Sequence, residues 1–203
     1  MDRDPHTYPW QARGSADKAA KHRRRSLRLK GYDYAQAGAY FITICTQGRA
    51  CLFGDVVDGS MCWNAAGQLA ATTWNDTSVR FPGIELDAFV VMPNHLHGII
   101  VLPDRTIVRP DGHHRVGAPL VGAHDARAAP TVGDIVRTFK SLFTVAYIQG
   151  VKENRRPGFD RRLWQRNYYE HIIRDEPELA RVRRYIDENP LRWAFDHENP
   201  LRS

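Results

Sequence analysis

The order of predicted elements points to an α+β fold, an antiparallel sheet with helices packed on one face. Two observations carry this. β-branched and aromatic runs follow one another between helical segments, where a parallel sheet would alternate strand and helix one for one. The 203 residues, 42% of them hydrophobic, suffice for one domain with its own core but fall short of the roughly 250 that a (β/α)₈ barrel takes.

Residues 1–37 read as a basic arm. Lys21, Arg23, Arg24, Arg25, Arg28 and Lys30 stand together with no acid among them. Such a run is a solvated tail unless the domain behind it handles nucleic acid, in which case it tracks phosphates. Residues 39–46 are β-branched and aromatic, a strand. Residues 51–53 and 61–63 make two short strands about a turn at Asp58-Gly59. Asn64 caps a helix with Leu69, Thr73, Trp74 and Thr77 at helical spacing, stopped by Phe81-Pro82-Gly83. Residues 85–92 and 96–102 are two more strands, joined by a tight turn at Pro93-Asn94. Residues 103–130 hold four prolines and no periodicity, and read as a long flexible loop. Residues 131–148 form an amphipathic helix with Ile135, Val136, Phe139 and Phe143 on one face. Residues 164–174 are strand-like. Asp175 then caps a helix with Pro177 in its first turn, ended near Glu188 by Asn189-Pro190. The domain spans 38–195, with 196–203 as a tail. This order fits a ferredoxin-like (RRM-like) arrangement.

The net charge of +6 is modest, but the arginines cluster, which favours a polyanionic partner over a generally basic surface. Nine arginines against five acids fall between Arg155 and Arg184, interleaved with Trp164, Tyr168 and Tyr169. Guanidinium groups beside aromatic rings suit single-stranded nucleic acid, and a salt-bridged helical surface is the alternative. Cys45, Cys51 and Cys62 show no C-x-x-C spacing, so reduced thiols and a cytoplasmic protein are expected. No apolar run approaches the length of a membrane span and the first residues lack a secretory signal.

Two constellations have chemical potential. In a strand, His95 and His97 project to one face and Leu96 to the other, so two imidazoles can chelate a divalent metal. Half-exposed strand histidines would look the same. Tyr185 and Asn189, four apart, share one face of the terminal helix. Taken alone they equally describe a core-edge aromatic and the residue before a proline stop.

Residues 92–98 (Met-Pro-Asn-His-Leu-His-Gly), the Phe139-Lys140-Ser141 stretch, residues 164–174 and the Tyr-Ile-Asp-Glu-Asn-Pro of 185–190 together resemble the REP-associated tyrosine transposases. These are single-tyrosine HUH transposases (His, apolar residue, His), and the resemblance covers about residues 25–195. It implies a ferredoxin-like domain with the HUH motif on a central strand, His95 and His97 as metal ligands, Asn189 as the third ligand and Tyr185 as the catalytic nucleophile. Mg²⁺ or Mn²⁺ is the implied cofactor. The implied partner is single-stranded DNA with imperfect palindromes or hairpins, contacted by the arm, Lys140, Arg166, Arg181 and Arg184, in a cytoplasmic, nucleoid-associated monomer or homodimer. The helix of Tyr185 is expected to move, or be placed by DNA, to bring the phenol to the metal. A hairpin-binding protein without turnover is the alternative. A small metal hydrolase using His95 and His97 fits worst, because no acidic ligand is placed nearby.

Overall fold

The computed structural model describes residues 36–104 and 130–202; the basic residues from Lys21 to Lys30 and most of 103–130 lie outside them. Six strands and three α-helices are described in the order β1 (Gly38–Cys45), β2 (Gly54–Val57), β3 (Ser60–Trp63), α1 (Ala65–Arg80), β4 (Glu85–Val91), β5 (His95–Leu102), α2 (Val132–Lys152), β6 (Tyr169–Ile173) and α3 (Glu176–Asp187). The main sheet runs β4-β5-β1-β6 with every neighbouring pair antiparallel. With the β2–β3 hairpin set aside, this is the ferredoxin-like order, and the α+β fold is as expected.

β1 and β5 are central and buried on both faces, so they read as nearly continuous apolar runs. On one face Tyr40, Ile42, Ile44, Leu96 and Ile100 are fully buried beneath α1 and α2. The approach there is close: a Cβ on Gly98 would stand 2.5 Å from the ring of Trp74, itself fully buried. Trp74 meets Phe139 of α2 edge-on at 5.7 Å, and Phe53, Phe143 and Trp164 extend this aromatic core. α3 lies on the opposite face, where Tyr185 packs edge-on against Phe41 at 5.9 Å.

The helix caps are those expected: Asn64 accepts from the Ala66 and Gly67 amides, and Asp175 from that of Glu178. Thr131 and Asp134 form a capping box on α2. Several boundaries differ; β6 begins at Tyr169, and of the expected segment before it Trp164 makes only an isolated bridge to Thr46. The first hairpin strand is residues 54–57, because Phe53 is drawn into the aromatic core and its amide donates to the Pro93 carbonyl (3.0 Å). Asp58 and Gly59, both at positive φ, make the two-residue turn. α2 runs on to Lys152, past the expected end at residue 148, and Gly150 within it makes room for the Arg156 guanidinium on the Ala146 carbonyl.

β4 carries one extra residue between Leu86 and Phe89. Next to this bulge Asp87 takes a bidentate contact from Arg183 of α3, with distances of 2.5–3.2 Å. On the other flank, His171 of β6 meets Glu178 at 2.9 Å, and the same carboxylate accepts the Arg174 amide. α3 is therefore held to the sheet from both sides.

Candidate active site

Strand alternation brings His95 and His97 to the α3 face of β5, both buried (0% and 3% exposed). Their Nε2 atoms are 3.1 Å apart. What aims them there is the hydrogen bonding of the opposite nitrogens. Asn94 Nδ2 donates to the carbonyls of Arg49 (3.1 Å) and Glu198 (2.7 Å), which fixes the amide's orientation. Its Oδ1 then accepts from His95 Nδ1 at 2.8 Å. Neutral His95 therefore carries its proton on Nδ1 and a lone pair on Nε2. Thr43 Oγ1 is hydrogen-bonded to His97 Nδ1 at 2.8 Å and so holds that ring from its far side. Burial lowers the basicity of His95 against the raising pull of Asp196 and Glu198, and lowers that of His97 further, helped by the neighbouring His95. Both rings are neutral near pH 7, the form that ligates metals.

The Tyr185 hydroxyl lies 3.3 Å from His97 Nε2, with the two rings 5.2 Å apart. In this structure the phenol already stands beside the imidazoles, on a helix held by the Arg183–Asp87 and Glu178–His171 contacts. Asn189 is 2% exposed, and its side-chain oxygen faces His95 closely enough to favour the charged form of that ring.

A further group was not foreseen. Asp196 Oδ2 stands 4.0 Å from His95 Nε2, and the ligand atoms of His95, His97 and Asp196 all lie within 4.8 Å of one another. The expectation that no acidic group accompanies the histidines is thereby corrected. Lone-pair-bearing nitrogens and oxygens converging in a buried space form a donor set able to hold a divalent metal ion. Asn94 and Thr43 were likewise missed. The first reads in sequence as a turn residue and the second as a strand residue, and only the pairing of β1 with β5, which sets Thr43 opposite His97, makes their roles visible.

The remaining predicted residues are more scattered. Arg166, Arg181 and Arg184 are exposed. Lys140 is half-buried and donates to the carbonyls of Gln165 (3.0 Å) and Asn167 (3.2 Å), over the ring of Tyr168.

No protein-family model matches the chain. An uncharacterized protein of Haemophilus influenzae is 39% identical over 178 residues, covering 88% of this chain and 94% of that one. A second protein of that organism, named "Putative REP-associated tyrosine transposase", is 24% identical over 163 residues, 80% of this chain and 76% of its own. The likeness supports a transposase-like fold. Two solved structures are similar to this chain. One, described as a REP-associated tyrosine transposase bound to a REP hairpin, has a TM-score of 0.48 at 20% identity, covering 86% of this chain and 74% of the other. The second, a "putative transposase" from Deinococcus radiodurans, has a TM-score of 0.43 at 18% identity over 80% and 96% of the two chains. Among the described residues, no helix is long and apolar enough to cross a membrane.

Proposed function

We propose that this protein is a single-strand DNA endonuclease and strand transferase acting on hairpin-bearing DNA through a 5′-phosphotyrosine on Tyr185. The observation that supports it most is the Tyr185 hydroxyl 3.3 Å from the Nε2 of a histidine that is itself paired with a second imidazole. His95, His97 and Asn189 would hold Mg²⁺ or Mn²⁺, which supplies a charge to bind the scissile phosphate and to offset the negative charge of the transition state.

The protein's own residues do the rest. The Arg183–Asp87 and His171–Glu178 contacts hold the phenol in place, so little orientational entropy is left to lose on reaction. The Tyr185 oxygen bonds to phosphorus as the bond from phosphorus to the 3′ oxygen breaks. The phenol gives up one proton and the leaving 3′-hydroxyl gains one, so the step is balanced. The ester stores the energy of the broken linkage, and a later 3′-hydroxyl can reverse the reaction on another strand. Arg166, Arg181 and Arg184, exposed beside this face or on α3, are the proposed phosphate contacts within the domain, with Lys21, Arg23, Arg24, Arg25, Arg28 and Lys30 of the arm. Lys140 serves the same surface through the loop it pins.

The test is an SDS-stable adduct between the protein and a labelled single-stranded hairpin oligonucleotide in Mn²⁺. Tyr185→Phe is expected to abolish the adduct and keep DNA affinity, and His95→Ala and His97→Ala to abolish it as well. Nucleotide mapped to Tyr168 or Tyr169 would overturn the assignment of Tyr185. Hairpin binding without any adduct would favour the reading as a binding protein without turnover.

A further inference from the structure

The geometry points to Asp196 as a direct ligand of the metal, a carboxylate that the segment after α3 brings to the paired imidazoles in addition to the Asn189 amide. This rests on the reading of the site as one that holds a divalent ion.

The first argument is the fate of the carboxylate's two oxygens. Oδ1 is occupied: it accepts the Glu198 amide at 2.8 Å and lies 3.4 Å from His197 Nδ1. Oδ2 is aimed at His95 Nε2 from 4.0 Å, too far for a hydrogen bond. The Asp196 side chain is 6% exposed and that of His95 fully buried. The 4.0 Å gap between this buried carboxylate oxygen and the imidazole nitrogen is wide enough for a cation bonded to both.

The second argument is spacing. Two ligand atoms each about 2.1 Å from one ion are about 3.0 Å apart at a right angle and about 4.2 Å apart when opposed. The separations of 3.1 Å between the imidazoles and 4.0 Å from His95 to Asp196 fall inside that range. The remaining pair, within 4.8 Å, needs at most a contraction of a fraction of an ångström.

The third argument is that Asp196 is delivered, not trailing. Arg49 Nη1 donates to the His197 carbonyl (2.8 Å), Arg49 Nε pairs with Glu198 (2.9 Å), and Asn94 donates to the Glu198 carbonyl (2.7 Å). Trp193 lies tilted beside the His95 ring, 6.0 Å away. The same Asn94 that orients one ligand thus anchors the segment bearing another. A carboxylate adds a hard, anionic oxygen to two imidazoles and an amide, which favours Mn²⁺ and Mg²⁺ and leaves the bound ion with less net positive charge.

Mn²⁺ binding to the full chain without DNA, read from the loss of the free-ion EPR signal, tests this. Asp196→Asn keeps the acceptor for the Glu198 amide and removes the charge. Its affinity for Mn²⁺ is expected to fall on the order of tenfold or more, Asp196→Ala at least as far, and His95→Ala to lose binding. Far-UV circular dichroism confirms that the variants are folded. Wild-type affinity in Asp196→Asn, alongside loss in His95→Ala, would overturn the ligand role and leave the imidazole site standing. A wild-type chain that binds no Mn²⁺ would overturn both this inference and the metal-dependent reading on which it rests.

Discussion

Asn94→Asp separates the two tasks of one buried side chain. The substitution is nearly isosteric and keeps an oxygen to accept from His95 Nδ1. It replaces the Nδ2 donor, however, with a second oxygen facing the carbonyls of Arg49 and Glu198, 3.1 and 2.7 Å away. Two hydrogen bonds of about 1 kcal/mol each are lost, and a carboxylate is left opposite two acceptors at about 2 kcal/mol more. A loss of about 4 kcal/mol is a large part of a stability of about 5–15 kcal/mol. With a urea m-value of about 2 kcal/mol/M it lowers the midpoint by about 2 M. The deficit should also depend on pH. Burial against carbonyl oxygens raises the folded-state pKa of the new carboxyl above its unfolded value, and the protonated group can donate once more. Stability relative to wild type therefore recovers as pH falls from 7 towards 5. Urea titrations of both proteins at the two pH values measure this. An unchanged midpoint at pH 7, or a deficit that does not narrow in acid, would refute the assignment of the Asn94 amide as donor to both carbonyls.

Gly98→Ala sets a methyl 2.5 Å from the ring of the buried Trp74; about 1–3 kcal/mol of destabilisation is expected, seen as a fall of several degrees in the thermal midpoint. Burial lowers the Lys140 pKa to about 8, against about 10.4 unfolded, so the unfolded chain holds more protons between these values and stability should rise with pH from 8 to 10. Lys140→Met should flatten that rise in urea titrations. The Arg183 hydrogen bonds hold the Asp87 carboxyl below its ordinary range, so their contribution is complete above the unfolded value near 3.9 and is lost as pH falls through the lower folded one. Asp87→Asn should be less stable than wild type at pH 6, with the gap closing towards pH 3 as judged by the urea midpoint.

Local signals in the sequence were enough for the sheet and its caps. Asn64, Asp175 and Thr131 cap as capping residues do, and the two-residue period of a strand puts His95 and His97 together without any tertiary information. The hairpin start was misplaced because Phe53 is a core residue by virtue of Trp164, more than a hundred positions later. For the same reason Asp196 was illegible. It follows a proline-terminated helix in a polar stretch with no periodicity, and its relation to His95 exists only through the bonds from Arg49 and Asn94 to the backbone beyond it. Lys140 shows what a sequence hides: two backbone carbonyls and the Tyr168 ring hold it half-buried, partners that only the folded chain brings to it.

The donors at the candidate site come from two ends of the fold. His95 and His97 are fixed in the central sheet, while Tyr185, Asn189 and Asp196 arrive from a stretch some ninety residues later. An ion bound among them acts as a cross-link closing a long loop, much as a disulfide does, and stabilises only the state in which both ends have met. At one hundred times its dissociation constant such an ion adds about 2.7 kcal/mol. Withdrawing the ion would remove that cross-link and leave the segment from Asn189 to Glu198 held to the sheet by the Arg49 and Asn94 contacts.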